Sequence, residues 1–301
     1  MNAHYLIWLN WPERPFRFGA NDLRHFREVV PDGKVTVVRS QRAFLRALPD
    51  ATHVLCWEFR KAWFATAPRL RVLATPSAGR ELLPGAADLP RGVLKYHGGF
   101  HGEIMSETVL AYMLAWCRGL YPAYDWQRRS AETLWPRVAL GEQCFSLAGT
   151  KAVILGYGRI GHAIGRKLKA LGVSFVGIRR RNVDSLPDAV ADADWLICVL
   201  PSDTGTDNVV DASLLRRMKR HAVLINVGRG NAVDEAALAD ALRHRRLAAA
   251  FLDVFRHEPL APDSPLAANL PGLFRFPHDA AFSPRYLELF FRELRSRGAL
   301  P

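Results

Sequence analysis

Short apolar runs of strand length alternate with helical patterns along nearly the whole chain, and this alternation constrains the fold more than any other feature. In the first hundred residues "HYLIWLN", "KVTVVRS", "THVLCWE" and "RLRVLAT" read as strands, with "NDLRHFREV", "QRAFLRAL" and "RKAWFATA" as helices between them. A further short strand, "GVLKYH", runs into Gly98-Gly99, a natural hinge. A second series starts at Lys151, with "KAVILG", "VSFVGIR", "DWLICVLP", "AVLINVG" and "AAAFLDVF" as strands and "RIGHAIGRKLKALG", "DASLLRRMK" and "DEAALADALRHR" as helices. Strands joined through helices make right-handed crossovers and therefore a parallel sheet. One core rarely serves 301 residues, so the two series predict an α/β protein of two doubly wound parallel-sheet domains. The expected division places residues 1–98 and 282–301 in one domain and residues 99–281 in the other. Between the series, a helix from about Gly102 to about Gly119 is apolar around most of its circumference, which predicts burial, a subunit interface included. The segment that follows, "YPAYDWQRRSAETLWPRVALGEQCFSLAGT", is less regular and is expected to wrap over the second domain.

Composition narrows the class of protein. Hydrophobic residues make up 49% and charged residues 23%, values ordinary for a globular chain. No run of eighteen apolar residues occurs, so no membrane span is expected. The opening "MNAHYLIWLNWPERP" lacks the parts of a secretory signal and reads as a first strand. Cys56, Cys117, Cys144 and Cys198 are scattered without a C-x-x-C pair. Free thiols in a reducing cytoplasm are expected, and no metal site. A net charge of +12 taken alone suggests an anionic partner. The arginines are dispersed, however, and the densest group, Arg243-His244-Arg245-Arg246, closes a predicted helix, where cations suit the dipole. Neither nucleic acid nor a membrane is the expected partner.

The second series opens on Gly156-Tyr157-Gly158-Arg159-Ile160-Gly161, of the form G-x-G-x-x-G. Such a run also occurs at incidental turns. Here it follows an apolar strand and begins a helix, the context that a dinucleotide cradle requires. Gly156 permits the tight turn, Gly158 lets the backbone approach a pyrophosphate, and Gly161 lets helix and strand pack closely. The helix N-terminus then offers N–H groups and a positive dipole to phosphate. An acid about 20 residues on would hydrogen-bond the ribose 2′-hydroxyl and select NAD. Eighteen positions after Gly161 stands Arg179 in "GIRRRN", and no Asp or Glu lies between Phe175 and Val183. Guanidinium groups bind a 2′-phosphate that a carboxylate would repel. NADP is therefore the expected cofactor, with Arg179 and Arg180 as its contacts and NAD as the alternative; decoration of a strand end is the other reading of these arginines.

Three segments downstream, "LINVGRG", "FLDVFRHEPL" and "FRFPHDAAFSP", each place an ionisable residue where a strand end meets a loop, the ligand side of an open α/β sheet. At this point the sequence resembles the D-specific 2-hydroxyacid dehydrogenases. "LAGTKAVILGYGRIG", "VLPSDTGT", "LINVGRGNAVDEAALADAL", "LDVFRHEPL" and Pro277-His278 match that family in order and spacing. "FRHEPLAPDSPL" and "PHDAAFSP" resemble most its glyoxylate/hydroxypyruvate reductase branch.

The resemblance implies a flavodoxin-like substrate domain and a Rossmann cofactor domain, with substrate bound between them. It implies Arg229, Glu258 and His278 as catalytic residues. Arg229 would bind the carboxylate and carbonyl oxygens of a 2-keto acid, His278 would donate the proton, and Glu258 would hold the imidazolium. Each type also has an ordinary reading: a helix cap, a loop acid before Pro259, a satisfied loop histidine. By the same resemblance Asp253 accepts from the nicotinamide carboxamide, and Leu200, Pro201, Thr206, Val227, Gly228 and His278 line the cofactor. Ala78 and Gly79 in "TPSAGREL" present backbone N–H groups to the substrate carboxylate, beside Arg229 and His278. Asp279 departs from the family, which carries an aliphatic residue after the histidine. "RYLELFFRELRSRG" reads as an amphipathic helix that in the family crosses back onto the first domain. The expectation is an NADP-dependent reductase of small 2-keto acids to D-2-hydroxy acids, cytoplasmic and homodimeric. A reductase of bulkier 2-keto acids and a non-enzymatic NAD(P)H-sensing regulator stand as alternatives.

Overall fold

Five parallel strands form the first sheet: β1 (His4–Trp8), β2 (Lys34–Val37), β3 (His53–Cys56), β4 (Val72–Thr75) and β5 (Leu94–His97), in the order β2-β1-β3-β4-β5. Tyr5 pairs with Val35 on one side and with His53 on the other. Burial explains composition here. The inner strands β1, β3 and β4 are almost wholly buried and read as HYLIW, HVLC and VLAT, whereas the edge strands β2 and β5 are partly exposed and carry lysines. Helices α1 (Ala20–Val29) and α2 (Gln41–Ala47) make the first crossovers. "RKAWFATA" forms a short 3-10 helix, Lys61–Thr66, instead of an α-helix; its buried Trp63 packs against Phe44 and Phe59, and Phe59 in turn against Phe64.

This computed structural model describes residues 3–129 and 137–301, and the chain divides into two units. The first unit is Met1–His101 with Phe282–Pro301, the second Gly102–Ala281. In the first unit the C-terminal helix, Tyr286–Ser296, buries Tyr286, Leu287, Phe290, Phe291 and Leu294, a single face at helical spacing. Phe291 packs edge-on against Phe26 of α1, with ring centroids 5.2 Å apart. Removing side chains of this size from water contributes roughly 1.5–3 kcal/mol each.

A helix, α3 (His101–Cys117), opens the second unit, followed by α4 (Leu120–Arg129) and α5 (Arg137–Gly141). Part of the segment expected to be irregular, residues 130–136, lies outside the described residues. Burial around α3 is not complete. Met105, Val109, Tyr112, Met113 and Cys117 enter the core, while Glu103, Glu107, Ala111 and Leu114 form an exposed stripe. Its uniformly apolar pattern conceals this because Ala111 and Leu114 lie on the outer face.

The second sheet is six-stranded and parallel, with β6 (Lys151–Leu155), β7 (Ser174–Ile178), β8 (Trp195–Cys198), β9 (Val223–Asn226), β10 (Ala249–Leu252) and β11 (Leu273–Arg275) in the order β11-β10-β9-β8-β6-β7. Alternate residues feed two cores. Val153, Leu155, Leu196 and Leu252 face one, and Ala152, Ile154, Ile197 and Phe251 the other. A sheet covered on both faces needs such unbroken apolar strands. Helices α6 (Arg159–Ala170), α7 (Leu186–Ala191), α8 (Ala212–Arg217) and α9 (Glu235–Arg243) supply the cover. The sequence pattern misses α7, whose six residues are too short for a clear period. Strand order reverses at β6, which lies between β7 and β8, so the crevice of the sheet opens at the C-terminal ends of β6 and β8.

Candidate active site

The loops that follow β6, β8 and β9 meet closely at that crevice. Gly156 follows β6 with φ +98°, and an added Cβ there would lie 2.6 Å from the Val199 carbonyl oxygen beyond β8. Gly228 beyond β9 is as tightly placed, since a Cβ would lie 2.6 Å from the Leu200 nitrogen. Only glycine allows three successive loops to approach so closely. At Gly158 an added Cβ would meet nothing within 4 Å, so that face of the turn is open. Helix α6 begins there with no side chain capping it and no acid in its first turn. Its first N–H groups and dipole are thus offered to an anion, which fits the pyrophosphate of a dinucleotide.

The three ionisable residues expected to act together come from three loops that follow strands of the second sheet. His278 follows β11, and its Nδ1 lies 2.8 Å from Glu258 Oε2. Glu258 follows β10, and its Oε1 accepts from the Phe255 N–H at 2.9 Å. Arg229 follows β9; its Nη1 donates to the Gly228 carbonyl at 2.9 Å, and its charge acts on both Glu258 and His278. The His278 side chain is 50% exposed and that of Glu258 36%, so the pair is open to a reactant while partly withdrawn from water.

Electrostatics sort the groups into roles. The hydrogen bond from Glu258 raises the pKa of His278, against the opposing effect of burial; the Glu258 and Asp253 charges raise it further and Arg229 lowers it. Burial works to raise the pKa of Glu258, but the bonds to His278 and the Phe255 N–H, with the Arg229 charge, bring it below its ordinary value. The result favours the imidazolium more than in a free histidine, beside a carboxylate that ionises more readily than usual. With Nδ1 bound to Glu258, the chemistry of an imidazole leaves Nε2 as the second site that can carry a proton.

Residues 110–280 match the family model described as D-isomer specific 2-hydroxyacid dehydrogenase, NAD binding domain. A glyoxylate reductase of Korarchaeum cryptofilum is 31% identical over 250 residues, spanning 78% of this chain and 72% of that protein. A glyoxylate/hydroxypyruvate reductase B of Pectobacterium atrosepticum is 34% identical over 244 residues, spanning 75% and 74%. The chain belongs to the D-isomer specific 2-hydroxyacid dehydrogenase family. In structure it resembles a family member from Aeromonas salmonicida, with a TM-score of 0.75 at 26% identity over 100% of this chain and 97% of that one. It also resembles an NADPH-dependent glyoxylate/hydroxypyruvate reductase from Sinorhizobium meliloti in complex with citrate, with a TM-score of 0.72 at 26% identity over 97% and 92%.

Within this dehydrogenase the remaining expected residues fall into place unevenly. Asp253, 1% exposed, directly follows β10. Its Oδ1 accepts from the Asp279 N–H at 2.8 Å and its Oδ2 from the Ala280 N–H at 3.1 Å, while its carbonyl accepts from the His278 N–H at 2.9 Å. Asp253 therefore grips the loop of His278 from both sides, with His278 at φ +57°. Burial pushes the Asp253 carboxyl up to about 6; backbone N–H groups oppose this, and the bond to the Asp279 side chain adds to it. Thr206 is buried, and its hydroxyl lies 2.9 Å from the Pro201 carbonyl and 2.7 Å from that of Asp203, so it ties the loop carrying Leu200 and Pro201. Val227 is buried behind Gly228. Arg180 reaches Asp203 at 3.9 Å and remains largely exposed, while Arg179 lies against Tyr157.

Asn226 escapes notice in the sequence because it ends an apolar strand. It is buried; its Nδ2 donates to the Arg229 carbonyl at 3.1 Å and its Oδ1 accepts from the Gly228 N–H at 3.1 Å, which fixes the turn that presents Arg229. A polar residue closing a fully apolar strand, three positions before an arginine, is the signal that finds it.

Ala78 and Gly79 belong to the first unit, in the loop after β4. The Gly79 N–H donates to Ser77 Oγ at 3.1 Å, and the Gly79 carbonyl lies 3.0 Å from His97 Nδ1. Among the described residues no group of three or more His, Cys, Asp or Glu side chains is placed to hold a metal ion, and no helix is long and apolar enough to cross a membrane.

Proposed function

We propose that this dehydrogenase is an NADP-dependent reductase of small 2-keto acids of the glyoxylate and hydroxypyruvate type, forming D-2-hydroxy acids. The observation that carries this reading is the His278–Glu258 pair at 2.8 Å beside Arg229. The relatives named glyoxylate reductase and glyoxylate/hydroxypyruvate reductase support the substrate class, and the NADPH-dependent reductase from Sinorhizobium meliloti supports the cofactor. The cations Arg179 and Arg180 at the end of β7, with no acid before Asp184, favour a 2′-phosphate.

A bound nicotinamide supplies the hydride. The chain's own groups do the rest. Arg229 pairs with the substrate carboxylate and carbonyl oxygen by charge-assisted bonds and draws electron density toward that oxygen. His278 passes a proton to the oxygen as charge develops there, and Glu258 stabilises the charged ring before transfer. In oxidation the neutral ring takes the proton back. Asp253 and Asn226 hold the two loops that carry His278 and Arg229; Asp253 also accepts from the carboxamide of the cofactor. Three of the four free cysteines are buried, in keeping with a cytoplasmic protein, and the exposed Leu114 of α3 supports a homodimer.

The test is NADPH oxidation followed at 340 nm with glyoxylate, hydroxypyruvate, pyruvate and phenylpyruvate, repeated with NADH. Turnover of the two smallest acids with NADPH is the expected result. Tight NADPH binding without turnover of any acid would replace this reading with that of a cofactor-sensing regulator.

A further inference from the structure

Strand β7 ends in a stack of side chains that the reaction itself does not need. Gly177 has no side chain, and the ring of Tyr157 occupies that place: an added Cβ would lie 2.4 Å from the Tyr157 Cγ. The imidazole of His162, in the first turn of α6, stacks on the Tyr157 ring with centroids 4.1 Å apart and planes 25° apart. Arg179 closes the stack. Its Nε donates to the Tyr157 carbonyl at 2.7 Å, its Cζ lies 5.6 Å from the Tyr157 ring centroid, and its Nη2 donates to His162 Nε2. Below, Asn182 Oδ1 accepts from the Arg179 N–H at 2.7 Å and fixes the backbone.

The chemistry of this arrangement is specific. A guanidinium has donors only, so His162 Nε2 accepts and its ring is neutral, with the proton on Nδ1. An exposed arginine at a strand end normally samples many rotamers, and ordering it on a ligand costs affinity. Here the two anchors, one main-chain carbonyl and one imidazole, have already ordered it. Both anchors flank the glycine turn, so the guanidinium sits beside the cradle that holds the dinucleotide.

We propose that His162 determines cofactor choice by positioning Arg179 for a phosphate monoester on the adenosine ribose. The proposal rests on the NADP reading above and adds to it a residue that touches the ligand through another. His162 and Tyr157 hold the fork, and Arg179 delivers the charge. A ligand without the ribose phosphate gains nothing from this order.

The experiment measures binding by titration calorimetry with adenosine 2′,5′-bisphosphate and adenosine 5′-phosphate, and with NADPH and NADH, for the wild type, His162→Ala and His162→Gln. The expected result is a loss of about tenfold for the bisphosphate and NADPH in His162→Ala, with 5′-phosphate and NADH within twofold of wild type. His162→Gln restores most of the loss, because its amide oxygen again accepts from Arg179. Equal losses for all four ligands, or no loss, or no recovery in His162→Gln, would overturn the assignment of His162. A wild type that binds both members of each ligand pair alike would overturn the NADP reading, and this proposal with it; a wild-type preference for NADPH that survives unchanged in His162→Ala removes only the role of His162.

Discussion

The two ends of the crevice in the second unit are built on opposite electrostatic plans. At the β10–β11 end the ionisable groups are partly or fully buried and held by short bonds to backbone and to one another: Asp253 at 1% exposure, Glu258 on the Phe255 N–H, His278 on Glu258. At the β7 end Arg179 and Arg180 lie exposed, held by an aromatic face, an imidazole and a distant carboxylate. The difference suits the tasks proposed for the two ends. Proton transfer needs a pKa held at a fixed value, which burial and directed bonds provide. Choice of cofactor needs only net positive charge in the right place, which the surface provides at low cost but which salt screens.

Four experiments separate these plans. The largest effect is expected for His278→Ala, which removes the proton donor; kcat for reduction falls by about 10²–10⁴-fold while NADPH binding persists. Retained turnover would remove His278 from the chemistry. Charge reversal at the other end, Arg179→Glu, is expected to weaken NADPH binding by about 10–100-fold, the worth of a charge-assisted bond, and to leave the limiting kcat nearly unchanged. A kcat that falls together with binding would merge the two ends into one. Third, Glu258→Gln removes the largest cause of the raised His278 pKa. Reduction requires the protonated ring, so its rate declines as pH rises through that pKa. In the variant the declining limb of kcat/KM moves to lower pH; an unmoved limb would show that Glu258 does not tune the ring. The smallest effect is that of salt. Between 0.1 and 1 M the screening length shrinks from about 10 to 3 Å, so KM for NADPH rises several-fold while the pH limb stays in place.

Legibility in the sequence divided along a physical line. Periodicity of two and of 3.6 made both sheets readable, because parallel strands covered on both faces must be continuous apolar runs, as "VLIN" and "WLIC" are. Arg229, Glu258 and His278 were singled out by the resemblance of their segments to the family, and the structure brings His278 and Glu258 within hydrogen-bond distance, with the charge of Arg229 acting on both. What stayed hidden depends on partners distant in the chain. Asn226 is an unremarkable polar residue until its bonds to Gly228 and Arg229 are known. Nothing in the spacing of Tyr157, His162 and Arg179 announces that their side chains meet. The exposed stripe of α3 was lost in a pattern apolar all round, and the six residues of "KAWFAT" were too few to tell a 3-10 helix from an α-helix.

The grip of Asp253 on the histidine loop has a consequence for how this enzyme tolerates change. His278 keeps a left-handed backbone, unusual for a residue with a side chain, and such a conformation persists only where its surroundings impose it. Three successive N–H groups converge on one aspartate to impose it. Laboratory selection for new substrates therefore meets a fixed point at position 253: removing the carboxylate takes away the acceptor of the Asp279 and Ala280 N–H groups and loosens the His278 loop before a single new contact to substrate is gained.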